Sequence, residues 1–204
     1  MPVYLVLHGY YQSADIIAKK LKGFFGANTT LIIPNGPLKV DDDKYGWFPL
    51  DKIDLQNGLV TIDESDIEKL LAYDFGFIPK LDCEQSDNIT EQRSVIKLDG
   101  IIAFSQGCLA AAALLGACKI TSSKLLLFSP IPGPELWKYT IPDTVQCELY
   151  IGTEDDLVIP EHSLRFLPLI GHNNVKVIKH RWGHVIPSTG EYKSRYRAFL
   201  NHSD

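Results

Sequence analysis

The chain has 204 residues and a mass of 22.9 kDa, which fits a single domain over 1–204 that buries about 70% of its unfolded surface. With 45% hydrophobic and 22% charged residues it has a globular composition, and no apolar run reaches the ~20 residues of a membrane-spanning helix. A net charge of -5 with scattered basic residues argues against a nucleic-acid or anionic-membrane surface. A small-molecule or peptide substrate is expected instead.

The opening MPVYLVLHGYY lacks a basic n-region and turns polar after six residues, so Val3 to Leu7 is expected to be a core strand rather than a signal peptide, and the protein cytoplasmic. In the turn that follows, Gly9 lets the chain bend so that the amide of Tyr10 can face a carbonyl oxygen. The plainer alternative is a strand-to-helix turn with Ser13 as N-cap and His8 as a structural hydrogen-bonding residue. A helix is expected over Ala14 to Phe25 and a strand over Thr30 to Pro34. The stretch from Asn35 to Gln85 is the least regular, with an acidic run at Asp41 to Asp43, an aromatic group of Tyr45, Trp47 and Phe48, and a helix over Ser65 to Tyr73. Asn88-Ile89-Thr90 matches a glycosylation sequon but reads as loop composition.

Short Val-, Ile- and Leu-rich runs then alternate with helical segments. Strands are expected at Leu98 to Phe104, Lys124 to Ser129, Cys147 to Gly152 and Asn174 to Lys179. Helices are expected at Gln106 to Lys119, Pro160 to Phe166 and Gly190 to Leu200. Such alternation predicts an α/β protein with a mostly parallel central sheet covered by helices on both faces. In such sheets ligands bind outside the carboxyl ends of the strands, so the loops after strands are where chemistry belongs. The Pro130 to Trp137 segment is too short for a large lid domain, and a shallow, open site is expected. Cys83, Cys108, Cys118 and Cys147 show no zinc spacing and are expected to be buried, reduced thiols.

Three post-strand loops carry a nucleophile, an acid and a base in chain order. Ala103-Phe104-Ser105-Gln106-Gly107 passes from strand to helix with small residues on either side of Ser105, whose plain alternative is helix capping. The amide of Gln106 would be the second oxyanion donor beside that of Tyr10. After Gly152 come three acids, Glu154, Asp155 and Asp156, of which Asp155 is preferred for orienting a histidine; a solvated acidic helix N-terminus is the alternative. After the last strand, Gly183 frees His184 to act as base, His180 supports the loop, and His162, His172 and His202 fall in segments expected to be exposed. A metal site from His180 and His184 would need a helix that Gly183 and Pro187 oppose, so no metal is expected.

LHGYYQS, YGWF, AFSQG, GTEDDLVIP and WGHVIP together resemble, in order and over nearly the whole chain, the FSH family of serine hydrolases and more distantly the acyl-protein thioesterase and carboxylesterase group. The resemblance implies an α/β-hydrolase fold with Ser105 as nucleophile, Asp155 as orienting acid by its register from Gly152, His184 as base, and Tyr10 and Gln106 as oxyanion donors. It departs at Ala103 and Trp182, each where the family has glycine, and at the inserted Ile159; Ala103 and Trp182 are expected to affect substrate size rather than activity. The expected reaction is cleavage of a carboxylic ester or thioester of short to medium acyl chain, free or carrier-bound, through an acyl-serine intermediate with no cofactor. Tyr11, Trp47 and Phe48 are expected either to line the acyl pocket or to pack in the core. The rival readings are a serine peptidase or amidase on the same triad and a non-catalytic binding module on the same scaffold.

Overall fold

The computed structural model describes residues 1–50, 53–54, 59–74, 95–131, 138–170 and 174–201. In chain order the first half supplies β1 (Val3–Leu7), α1 (Ala14–Lys20), β2 (Thr30–Ile32), β3 (Leu38–Asp41), β4 (Lys44–Gly46), β5 (Ile53–Asp54), β6 (Leu59–Val60) and α2 (Glu64–Ala72). The second half supplies β7 (Ile96–Leu98), β8 (Gly100–Phe104), α3 (Gln106–Gly116), β9 (Ile120–Ser122), β10 (Lys124–Phe128), β11 (Gln146–Gly152), α4 (Pro160–Leu164), β12 (Val175–His180) and α5 (Gly190–Asn201).

Six strands form one sheet in the order β12-β11-β10-β8-β1-β2, and every pairing in it is parallel. The sequence explains the central positions: all five residues of β8 and of β10 are buried, as expected of strands covered on both faces. One face packs on α2 and α3 through a cluster that includes Leu5, Ile67, Leu109 and Leu149, and the other on α1 and α5 through Val6, Ile17, Tyr150 and Tyr196. The result is the α/β-hydrolase architecture expected, and no large lid is found among the described residues. α3 is buried from Gln106 to Leu115, because its Ala110–Ala113 run carries only methyl groups and lets the helix approach the sheet closely. Across β10, β11 and α5, Phe128 stacks on Tyr150 at 4.9 Å and both meet Tyr196 edge-on.

Several segments differ from their expected limits, and at three of them the local reason is visible. α1 stops at Lys20 rather than Phe25 because Gly23 sits at φ +75°, a left-handed stop, and Arg197 then takes the carbonyls of Gly23 and Phe24. The run Leu98 to Phe104 is two strands, because the Asp99 carboxylate accepts the N–H of Val3 at 2.7 Å and breaks the ladder, leaving β7 to pair with β9. The irregular stretch after Asn35 contains two antiparallel pairs, β3–β4 and β5–β6. The sequon at Asn88, Cys83, Pro132 to Trp137, His172 and His202 lie outside the described residues.

Candidate active site

The β8-to-α3 turn holds Ser105 at φ +53°, ψ -119°, a conformation that costs a non-glycine residue about 1–3 kcal/mol. Its backbone is clamped between β10 and α3: Ser105 N–H donates to the Phe128 carbonyl at 2.9 Å, and Cys108 N–H donates to the Ser105 carbonyl at 3.0 Å. The hydroxyl makes no helix-capping hydrogen bond, so the capping reading fails. Gly107 is required by close approach, since a Cβ there would stand 2.3 Å from the Leu7 carbonyl oxygen. Ala103 pairs with Leu7 and Leu127 inside the sheet and is fully buried, so its methyl group is absorbed by the core behind the turn.

The loop after β1 is bound to this turn by three buried side chains. His8 Nδ1 donates to the Gly9 carbonyl at 2.7 Å while Nε2 accepts from Gly36 N–H at 3.0 Å, which fixes one neutral tautomer. Burial pushes the His8 pKa below its usual value against the pull of the Gly9 carbonyl, in keeping with that neutral form. Trp47 Nε1 donates to the His8 carbonyl at 2.7 Å. Gln106 closes the ring, its Oε1 accepting from Trp47 N–H at 2.8 Å and its Nε2 donating to the Phe48 carbonyl at 2.7 Å. The backbone N–H of Gln106, at the first position of α3, belongs to the amides that an α-helix leaves without an internal partner. Tyr10 lies over Gly46, where a Cβ would come within 2.7 Å of its ring.

The acid and the base come from the loops after β11 and β12. Asp155 is 3% exposed, whereas Glu154 and Asp156 are exposed. Asp155 Oδ1 accepts the N–H groups of Leu157 and Val158 at 3.1 and 2.8 Å, and Oδ2 accepts from His184 Nδ1 at 2.8 Å. Burial pushes the Asp155 pKa up, but the hydrogen bonds from His184 and Val158 outweigh it and hold the carboxyl below its ordinary value. Ser129 also leans toward this carboxylate without a hydrogen bond of ordinary geometry. The His184 ring packs on that of Phe104, the residue before Ser105, at 4.8 Å between centroids. Gly152 lets the two loops meet, because a Cβ there would lie 2.4 Å from the Trp182 carbonyl oxygen.

The serine hydrolase (FSH1) family matches residues 2–196 of the chain. The chain belongs to the FSH1 serine hydrolase family. The hydrolase also resembles SOBER1 of Arabidopsis thaliana, with 18% identity, a TM-score of 0.69 and coverage of 98% of this chain and 97% of that one. A carboxylesterase of Mesorhizobium loti is similar at 16% identity and a TM-score of 0.66, over 98% of this chain and 88% of that one. A carboxylesterase of Bacillus cereus is similar at 17% identity and a TM-score of 0.64, over 97% and 87%. No curated protein matches the chain in sequence.

Within the hydrolase, the side chains expected near an acyl group separate. Trp47 and Phe48 are 2% and 0% exposed and sit in the core under the loop after β1, so of the two readings held open for them core packing is the one observed. Tyr11 is 49% exposed, at φ +58°, with its hydroxyl donating to Asp41 Oδ2 at 2.7 Å. His162 is 8% exposed and Cys118 exposed, each the reverse of its expected state. Cys118 sits at φ +53° just past α3, which turns it out of the helix packing. Ser13 does cap α1, accepting from Ile16 N–H at 3.4 Å. Sequence reasoning assigned Gln106 only through its backbone and missed its side chain as the buckle between nucleophile turn and Trp47-Phe48. The signal was a long amide side chain in an otherwise apolar α3. Among the described residues no His, Cys, Asp and Glu cluster could hold a metal ion, and no helix is long and apolar enough to cross a membrane.

Proposed function

We propose that the hydrolase cleaves a carboxylic ester or thioester of short to medium acyl chain through an acyl-serine intermediate, with Ser105 as nucleophile, His184 as base and Asp155 as orienting acid. The observation that carries this reading is the buried Asp155 carboxylate bonded to His184 Nδ1 at 2.8 Å. That bond leaves Nε2 of the imidazole as the atom that takes the serine proton, and the carboxylate stabilises the imidazolium formed. His184 then returns the proton to the leaving alcohol or thiol and activates water to release the acid. The amides of Tyr10 and Gln106 are the donors to the tetrahedral oxyanion, each worth about 3 kcal/mol in a site shielded from water. The strain at Ser105 supports the same assignment, since nothing in helix capping calls for it.

The test is a panel of matched esters, thioesters and amides of graded chain length, offered to wild type and Ser105→Ala, with mass spectrometry of the quenched wild type. A transient mass increase equal to the acyl group, with turnover of esters or thioesters that Ser105→Ala lacks, is the expected result. Turnover that survives in Ser105→Ala would contradict the assignment.

A further inference from the structure

Asp155 has an unusual pair of neighbours. Among the described residues, buried side-chain nitrogen or oxygen atoms without a hydrogen-bond partner occur at Ser129, Ser163 and His180. Two of these flank the acid: Ser129 directly follows β10 and His180 ends β12, the strands on either side of β11. His180 is the larger investment. It is 4% exposed and neither ring nitrogen has a partner among the described residues. An apolar side chain would fill the same space without desolvating an imidazole.

The surroundings tie this ring to the acid-bearing turn. His180 pairs with Gly152, its carbonyl accepts both the N–H of Thr153 at 2.7 Å and its hydroxyl at 3.1 Å, and its Cε1 would lie 3.1 Å from a Cβ on Gly152. The ring edge between the two nitrogens therefore faces Gly152, the residue that opens the turn leading to Asp155. Trp182 and Tyr192 close the other sides at 5.7 and 6.3 Å between centroids. The ionisable and charged groups around it are Asp155 with the exposed Glu154 and Asp156 on the β11 turn, Tyr192 on α5, and Arg181 and His184 on its own segment, Arg181 lying over Trp182 at 5.7 Å. Burial keeps the His180 pKa below the usual histidine value, while the Asp155 charge pulls it up.

We propose that His180 is a positioning residue for Asp155: its neutral imidazole seats the acid-bearing turn on the end of β12, and its protonation draws the carboxylate's charge away from His184. This rests on the triad reading above. A cation at His180 and an imidazolium at His184 compete for one carboxylate, so a protonated His180 makes His184 a weaker base and removes stabilisation from the transition state. Loss of activity in acid then follows two protons, one on each histidine.

The test compares wild type, His180→Gln and His180→Phe on an uncharged ester from about pH 4 to 7, with circular dichroism at each pH to verify the fold. In wild type the fall of log kcat/KM with decreasing pH steepens from a slope of one to a slope of two; in both variants it stays at one. A folded wild type with a slope of one throughout, or a His180→Gln variant that keeps the steeper limb, overturns the proposal. A second readout is free of activity: the ring-nitrogen NMR titration of His180 in wild type and Asp155→Asn. A lower midpoint in Asp155→Asn supports the coupling, and an unchanged one contradicts it. A wild type that hydrolyses neither esters nor thioesters defeats the triad reading, and the NMR comparison still decides the coupling.

Discussion

Ser105 is held in a strained conformation by bonds on both sides of the turn, and the strain has a measurable consequence. On the proposed assignment Ser105→Gly and Ser105→Ala should both abolish turnover, but only glycine relaxes the positive φ. Ser105→Gly should therefore be more stable than Ser105→Ala by about 1 kcal/mol in chemical denaturation. The three adjacent acids separate in the same residue-level way. Asp155→Asn should lower kcat about 10⁴-fold by removing the acceptor that fixes the His184 tautomer. Asp156→Asn, on an exposed side chain, should leave kcat within about twofold of wild type. Steady-state kinetics on one ester distinguishes the two acids.

At the scale of elements, two side-chain connections hold the strand-end loops and the outer helix in place. Gln106 spans from the start of α3 to the backbone of Trp47 and Phe48. Gln106→Leu removes both bonds and leaves a buried N–H and C=O unpaired, which should cost about 2 kcal/mol or more and lower kcat by loosening the loop that carries Tyr10. On the opposite side of the sheet, Arg195 of α5 donates to Glu148 Oε1 at 2.8 Å, while Tyr150 hydroxyl donates to Glu148 and accepts from Arg195. Arg195→Met should cost about 2 kcal/mol of stability, read as a lower urea midpoint with an unchanged m value. That is less than a fully buried pair would cost, because Arg195 is partly open to water. The sequence announced the apolar strands well: β1 matches its expected limits and β11 differs by one residue, since Val, Leu and Ile runs bounded by polar residues have few alternatives. It hid β3 and β4, because LKVDDDKYG carries three acids in a row and no period of two. It also hid the break at Asp99, which depends on a carboxylate meeting Val3 across 96 residues of chain. The proposed Ser105, Asp155 and His184 could be picked out in the sequence because each follows a strand. Burial of Trp47, Phe48 and His162 was not, because tertiary contacts and not local pattern decide it.

For the whole molecule, the parallel sheet brings three loops distant in sequence to one end, and the same burial makes the fold sensitive to acid. His8 and His180 are held neutral below the 6.5 of a free histidine. The unfolded chain therefore binds protons at a higher pH than the native one, and stability declines as pH falls below about 6.5. Asp155 adds a second loss: its lowered pKa contributes stability above the unfolded carboxylate value of about 3.9 that disappears as pH falls through the native value. Urea unfolding at a series of pH values should show both stages, and His8→Phe should flatten the first. The central claim, an activated serine at the end of β8, is tested most directly by labelling the purified protein with a fluorophosphonate probe beside Ser105→Ala and His184→Ala. Labelling of wild type that is lost in both variants is the predicted result; a folded wild type that does not label, or a Ser105→Ala variant that still does, would contradict it.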